Sequence, residues 1–526
     1  MFPLSVIVVA LLPLVQTSNI LFVAVSPSVS HQIVFQAVWK ELSLKGHNVH
    51  VITPNPLRDP TLHNLVEIDI SSLYDKMREV PRDVAKYLLK KPDFFNVFLK
   101  DRVLTEYFSK FMEYAFQHEH VQKFLSEQHE FDVVIVEWLY PTMAAFGAKY
   151  NCPIIGITSL GAPIPALDTV GNPSHPVYVP DHNLPVKRDL NFKERLMSTL
   201  YSIFVRVYYH FVVLPREDAL AKKYLGEGLP YMGDIEKNVS LLLLNRNLVF
   251  HRIGPSVPAI IDLGGIQLNK TKKDLEPELK KFLDNSVNGA IYFSLGSNMK
   301  SIYLPEATRN IFRDTFAQLP YNVVWKWEGG DLPGAPNNVF TQSWIPQVEL
   351  LGHPNLKLFI TQGGLQSTED AIKNHVPIIG IPFHSDQTTN VDTSVKYGIG
   401  IGIDLDEINI ENLNASVHQI INDARYKENV VRLDKIMHDQ PKDGLERAVW
   451  WTEYVIRHKG AKHLRSHSMD VPWIQYLMID IAAFLAGTLF FIIFIVYQSL
   501  KLISFIIFWI LRKLLRCKTD RDKKNK

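Results

Sequence analysis

The chain has 526 residues, enough for about two large domains with additions. Its 47% apolar and 21% charged residues suit globular material carrying a membrane element, and they exclude a disordered or fibrous chain. The net charge of +2 hides an asymmetry: nine Lys/Arg against two Asp follow Tyr497, a local +7 that leaves −5 before it and implies no basic face for nucleic acid.

Residues 1–18, MFPLSVIVVALLPLVQTS, form an apolar run closing in small and polar residues and read as a signal peptide. From Asn19 come a strand (NILFVAVS), a Pro/Ser turn, a helix (HQIVFQAVWKELSLKGH) and a second strand (NVHVIT). Val34, Val38 and Leu42 recur at four-residue spacing and Gly46 stands where the helix stops. Such a βαβ unit predicts a parallel sheet. FDVVIVEW (131–138) and NCPIIGIT (151–158) are further buried-strand runs, so a first domain is predicted over 19–268.

The charged stretch 269–288 reads as a linker. A second domain, 289–443, then carries AIYFSLGS, NVVWKWEG, LKLFITQGG, VPIIGIPF and GIGIDL as strands. The fold class is α/β: two Rossmann-like doubly wound domains facing a cleft, with ligands at the carboxyl ends of both sheets. Asp404-Leu-Asp406 has the form of a manganese motif, but its place between a strand and a helix reads as a turn and cap, with no metal. A closing helix occupies 444–470. Residues 473–497 are apolar with one charge, Asp480, long enough to span a bilayer with Trp473, Tyr476 and Tyr497 at its interfaces.

The basic tail, 498–526, sets the carboxyl end in the cytosol by the positive-inside bias. Its last residues, KKNK, resemble the di-lysine retrieval signal of endoplasmic reticulum membrane proteins. Sequons at Asn238, Asn269 and Asn414 lie between the two hydrophobic ends, as a lumenal body requires. Cys152 and Cys517 would then lie on opposite sides of the membrane and could not pair. Apolar, aromatic stretches at 84–124 and 200–214 are candidates to line an acceptor pocket or touch the membrane surface.

The chemistry concentrates in 343–390. There a flat aromatic, Trp344, is followed by Gln347, and a strand opens through Gln362 into Gly363-Gly364 at a helix start. Asp370 falls two turns into that helix, and Asp386-Gln387 follows the next strand. Paired glycines before a helix let a diphosphate reach the amino-terminal amides, where the helix dipole favours its charge. Ser297 ends another strand in a Ser–Leu–Gly–Ser turn of the same use.

Nearly position by position, this stretch resembles the signature of the UDP-glycosyltransferases, with wording closest to the invertebrate members; the likeness extends over essentially the whole mature chain. The resemblance implies the two-domain GT-B architecture with one carboxyl-terminal transmembrane helix. It also implies Trp344 and Gln347 at the uridine, Asp370 at the ribose, Asp386 and Gln387 at the sugar, and Ser297 with Gly363 and Gly364 at the diphosphate. Gln362 stands where the family usually has His, and Glu137 where many relatives have Asp. His31, at the first turn of the first helix, would be the catalytic base, and Glu137 would accept from its other ring nitrogen. The implied reaction is inverting transfer of a hexose from UDP-glucose, or from UDP-glucuronic acid, to a small lipophilic acceptor, as in detoxification. It needs no cofactor beyond the co-substrate. A non-catalytic UDP-sugar-binding relative is the alternative, and the oligomeric state, a homo-oligomer included, is left open.

Overall fold

The computed structural model describes residues 17–78, 96–181, 183–186, 189–268, 274–297, 299–383 and 385–524. The signal-peptide expectation therefore falls outside the described residues apart from 17–18, as does the sequon residue Asn269. Two units are distinct, one through Ser466 and one from His467.

The first unit holds two parallel sheets. One runs through β1 (Asn19–Val23), β2 (Asn48–Thr53), β3 (Leu65–Asp69), β4 (Val133–Glu137), β5 (Ile154–Thr158), β6 (Val239–Leu244) and β7 (Ile260–Asp262). Its spatial order is β3-β2-β1-β4-β5-β6-β7. β4, β5 and β6 are buried along their whole length, which is why they read as continuous apolar runs rather than alternating ones.

The other sheet comprises β8 (Ala290–Ser294), β9 (Asn322–Lys326), β10 (Val339–Gln342), β11 (Leu356–Thr361), β12 (Ile378–Gly380) and β13 (Gly400–Gly402). Its order, β10-β9-β8-β11-β12-β13, repeats the same winding. Each sheet reverses direction once, between β1 and β4 and between β8 and β11. Those reversals open a crevice at the carboxyl ends of the strands.

Helix α1 (Val29–Leu44) follows β1 and buries Val34, Val38 and Leu42, the residues whose spacing predicted it. Helix α2 (Phe192–Tyr208) begins at a capping box in which Asn191 and Glu194 exchange side-chain and backbone hydrogen bonds. The stretch expected to be a linker contains helix α3 (Pro277–Asp284). Leu279 and Leu283, four residues apart, pack it under Ala290 and Tyr292 of β8, so the charges that suggested a linker are its outer face.

Helices α4 (Leu365–Lys373) and α5 (Gln387–Lys396) follow β11 and β12. Helix α6 (Gly444–His458) crosses back to the first sheet, where Ala448, Val449 and Val455 join its core. A Cβ at Gly444 would lie 1.9 Å from the Leu263 carbonyl oxygen, so only glycine admits this approach. Asp404 opens a single 3-10 turn, Leu405–Glu407.

In the second unit the long apolar helix, α7, spans Ile479–Lys524, rather than starting at Trp473 and stopping at Tyr497. Trp473–Tyr476 form a separate short turn, and Met478 adopts φ +53°, a left-handed break before α7 begins. The apolar run Leu502–Leu511 continues the same helix.

Candidate functional site

The first crevice is built by β1, β4 and the start of α1. β1 and β4 pair in register from Ile20↔Val133 to Val23↔Val136, which sets Glu137 beside the turn leaving β1. Glu137 is fully buried, and both its oxygens are held by one residue. The Ser26 hydroxyl donates to Oε1 at 2.6 Å and the Ser26 backbone N–H to Oε2 at 3.0 Å. His31 lies in the first turn of α1 with Nδ1 3.7 Å from Glu137 Oε1.

That separation is too long for a hydrogen bond. Nδ1 is buried and has no hydrogen-bond partner. The direct orienting bond expected from the sequence is therefore not formed in this structure. Ser26 has taken the carboxylate, and the longer Glu side chain is fixed by that hydroxyl. Ligand-free catalytic contacts are often this loose and tighten when substrate binds.

Around this pair the polar groups are closely satisfied. Gln32 donates to the Ala24 and Ser26 carbonyls at 3.1 and 2.9 Å and accepts from Thr53 at 2.8 Å, which shapes the loop presenting Ser26. Tyr74 donates to Asn55, and burial with the neighbouring Glu137 charge raises its hydroxyl pKa. None of these supporting residues carries a sequence motif.

The second crevice lies between the turns after β8 and β11. Gly296, at φ +85°, makes room for the Gln362 amide: a Cβ there would sit 2.6 Å from Gln362 Nε2. The two turns therefore touch. The Ser297 hydroxyl and Gln362 Oε1 are both buried with no partner. Buried polar atoms without partners are costly, so a pair of them facing one turn marks a place for a ligand. Rotating the Gln362 amide exchanges its acceptor for a donor.

Gly363, at φ +79°, is locked by β11 and α5: its N–H donates to Thr361 at 3.3 Å and its carbonyl accepts from Asn390 at 3.0 Å. Gly364 caps α4, whose amides point into the crevice. Asn390 also donates to Asp386 Oδ2 at 2.6 Å, so one amide joins the glycine pair to the acid ahead of α5. Gln387 is buried, and its Oε1 accepts the Phe383 N–H at 2.8 Å. The sequence offered no sign of Asn390.

Farther along, Gln347 donates to Asp370 Oδ2 at 2.8 Å and to Ser367 at 3.2 Å, joining two residues expected at the base and the ribose. Trp344 is 54% exposed with a free ring area, and Lys326 Nζ stands 5.9 Å from its centroid. Lys326 is in turn fixed by Glu328 at 2.6 Å and by the Gly296 carbonyl at 3.1 Å.

The domains meet beside these crevices. Gln366, in the first turn of α4, donates to the Ser159 carbonyl just past β5 at 2.7 Å. Gln267 donates to Glu369 at 2.6 Å. Glu369 is fully buried next to Asp370, and burial, then the Asp370 charge, pushes its carboxyl up to about 8 despite the Gln267 bond. The adjacent acids Glu369-Asp370 were the only sequence signal for this contact.

A family model described as UDP-glucoronosyl and UDP-glucosyl transferase matches residues 19–513. UDP-glycosyltransferase UGT5 of Dactylopius coccus is 34% identical over 495 residues, 92% of this chain and 92% of that protein. The ecdysteroid UDP-glucosyltransferase of Spodoptera littoralis nuclear polyhedrosis virus is 32% identical, over 88% of this chain and 93% of its own. Among solved structures, the glycosyltransferase SnogD from Streptomyces nogalater superposes with a TM-score of 0.53 at 18% identity, covering 84% of this chain and 99% of that one, a likeness of fold. With two doubly wound domains of GT-B type and a family match over nearly its whole length, the chain belongs to the UDP-glucoronosyl and UDP-glucosyl transferases, enzymes that transfer sugar from a UDP-sugar.

Proposed function

We propose that this enzyme transfers glucose from UDP-glucose, with inversion and without a metal ion, to the hydroxyl of a small lipophilic acceptor. The observation that carries this reading is His31, in the first turn of α1 beside the fully buried Glu137. An imidazole beside a buried carboxylate can take up a proton as a general base. His31 takes the acceptor's hydroxyl proton as that oxygen bonds to the anomeric carbon. The bond from the anomeric carbon to UDP breaks on the opposite face, and the electron pair leaves on the diphosphate.

In this reading Ser297, Gln362 and the Gly363-Gly364 amides receive that charge, so helix dipole and neutral donors replace a cation. Trp344 and Gln347 hold the uracil, Asp370 the ribose, and Asp386 with Gln387 the sugar hydroxyls. The name of the ecdysteroid-glucosylating relative supports glucose and an apolar acceptor. The family's description covers glucuronosyl transfer too, so UDP-glucuronic acid is the rival donor.

The reading continues to the membrane. α7 crosses the endoplasmic reticulum bilayer once, leaving the catalytic body in the lumen and the basic end in the cytosol. Asn238, exposed ahead of β6, suits glycosylation in that compartment. Asn414 is half-buried within the helix Ile410–Asn422 and suits it poorly.

The test is UDP release by the full-length protein with UDP-glucose or UDP-glucuronic acid, in EDTA, against a panel of phenols and sterols. Release from UDP-glucose with an inverted product is expected. A preference for UDP-glucuronic acid overturns the sugar, EDTA sensitivity overturns the metal-free route, and no UDP from either donor overturns the whole reading.

A further inference from the structure

Helix α4 has two polar faces. One carries Asp370, which Gln347 engages at 2.8 Å, on the side proposed for the donor ribose. Gln366 and Glu369, three residues apart, share the other face and meet the first domain. Gln366 donates to the Ser159 carbonyl at 2.7 Å, and Glu369 Oε2 accepts from Gln267 at 2.6 Å. Ser159 follows β5 and Gln267 follows β7. Asn245, just past β6, joins them: its amide donates to the Ser159 carbonyl at 3.2 Å and to Gln267 Oε1 at 3.4 Å. Three strand ends of the first sheet thus converge on one face of a helix of the second domain.

The first-domain side of this seam is held from several directions. Gly264 and Gly265 turn the chain at φ +53° and +66°, and Asn245 Oδ1 accepts the Gly265 N–H at 2.9 Å. Arg447 of α6 donates to the Leu263 carbonyl of the same turn at 3.2 Å. Glu369 is 1% exposed, so parting it from Gln267 without admitting water leaves buried polar groups unpaired, at a cost that opposes separation.

We infer that Glu369 is a positioning residue for transfer: bound to Gln267, it fixes α4 against the first domain and so sets where Asp370 and the Gly363-Gly364 turn stand relative to His31. The inference rests on the proposed reading of α4 as the donor helix. A misplacement of about 1 Å between reacting groups costs on the order of 10²-fold in rate, so a seam that holds this spacing acts on turnover.

The contact also carries a charge condition. Burial, with the Asp370 and Asp386 charges, pushes the Glu369 carboxyl up to about 8. Gln267 and Asn245, facing it from the first domain, are neutral, and the adjacent Arg246 is held by Asp262 through bonds of 2.6 and 3.1 Å. On α6, Arg447 has Asp262 and Asp443 as its charged neighbours. Below pH 8 Glu369 is neutral. Above it, a third carboxylate forms beside Asp370 and Asp386, behind the helix start proposed to receive a diphosphate, and donor affinity falls.

The experiment uses the full-length chain and an acceptor that supports turnover. It reads UDP affinity by titration calorimetry, and kcat and KM for UDP-glucose, between pH 7 and pH 9. In the wild type the UDP dissociation constant should rise about tenfold across that range. In Glu369→Gln, which keeps an acceptor for Gln267 but cannot ionise, it should stay flat, with kcat at pH 7 close to wild type. Glu369→Leu and Gln267→Leu, which break the contact, should lower kcat at pH 7 about tenfold and leave UDP affinity there within about twofold. A UDP profile in Glu369→Gln that repeats the wild-type rise overturns the inference and spares the donor reading. So does a kcat in Glu369→Leu equal to that of Glu369→Gln. If the wild type binds no UDP at any pH, the donor reading fails first, and the inference with it.

Discussion

The two crevices share one topology and differ in chemistry. Between β1 and β4 the strand ends carry a His and a buried carboxylate whose oxygens are already held by Ser26. Between β8 and β11 they carry a serine, an amide and two glycines, with buried oxygens that no protein group meets. In the first crevice the carboxylate is satisfied while His31 Nδ1 is left without a partner, and the pair is suited to moving a proton. The second sets unpartnered neutral groups beside Lys326, whose Nζ donates to the Gly296 carbonyl of the same turn. In the proposed function the same winding serves base chemistry in one domain and anion binding in the other, and the difference resides in a few residues at the turns.

Removing the base is the harshest test of this contrast. His31→Ala should lower turnover by roughly 10²–10⁴-fold, as the loss of a general base does, while UDP affinity from titration calorimetry stays put. Turnover near wild type in a folded variant, with an acceptor known to work, would break the assignment of proton transfer to the first crevice.

On the other side, Asp386→Asn should cost about 10²-fold in transfer, since it removes the charge proposed to hold the sugar hydroxyls but can still accept from Asn390. UDP binding should be retained. Asp386→Ala should weaken UDP as well, because Asn390 then loses the partner that fixes it beneath Gly363. Equal UDP affinity in both variants would separate the sugar site from the glycine turn.

A smaller loss, about tenfold, is expected for Ser26→Ala, which removes the hydroxyl bond to Glu137 Oε1 and leaves the backbone N–H on Oε2. Read as kcat against pH, this variant should also displace the acid limb of the profile if Glu137 tunes His31. A uniform loss at every pH would leave Ser26 a purely structural role.

The smallest effect concerns stability. Glu369 is raised to about 8 when folded, above the 4.5 of an ordinary glutamate, so the folded chain binds more protons between those values. Its contribution must therefore fall as pH rises from 4.5 through 8. Glu369→Gln preserves an acceptor for Gln267 and should gain on the order of 1 kcal/mol over wild type at pH 8.5, with little difference at pH 4.5. Parallel melting curves across that range would show that Glu369 is charged in the native state.

Much of this was legible because the strands are buried on both faces and the turns hold Gly, Ser and Asp. VVIVE and LKLFITQGG announce parallel strands, and the glycine pair announces the start of α4. Less visible were contacts made between distant segments. Ser26 to Glu137 spans 111 positions and Gln267 to Glu369 spans 102, and neither pair has a spacing that local periodicity records. The helix within 269–288 was hidden for a related reason: charge density masked the Leu279–Leu283 stripe of α3. α7 begins later than its apolar composition suggests, because Pro472 and the left-handed Met478 divide the run in two.

For anyone redesigning the donor preference, Asn390 imposes a constraint. It is a shared fastener: its amide secures the Gly363 carbonyl and the Asp386 carboxylate together. With Asp386 at the sugar as proposed, a substitution there meant to admit a different hexose will also slacken the Gly363 turn, so selectivity and speed should not be adjustable independently. Libraries that vary residues 386 and 390 jointly should reach donor profiles that single-site libraries miss.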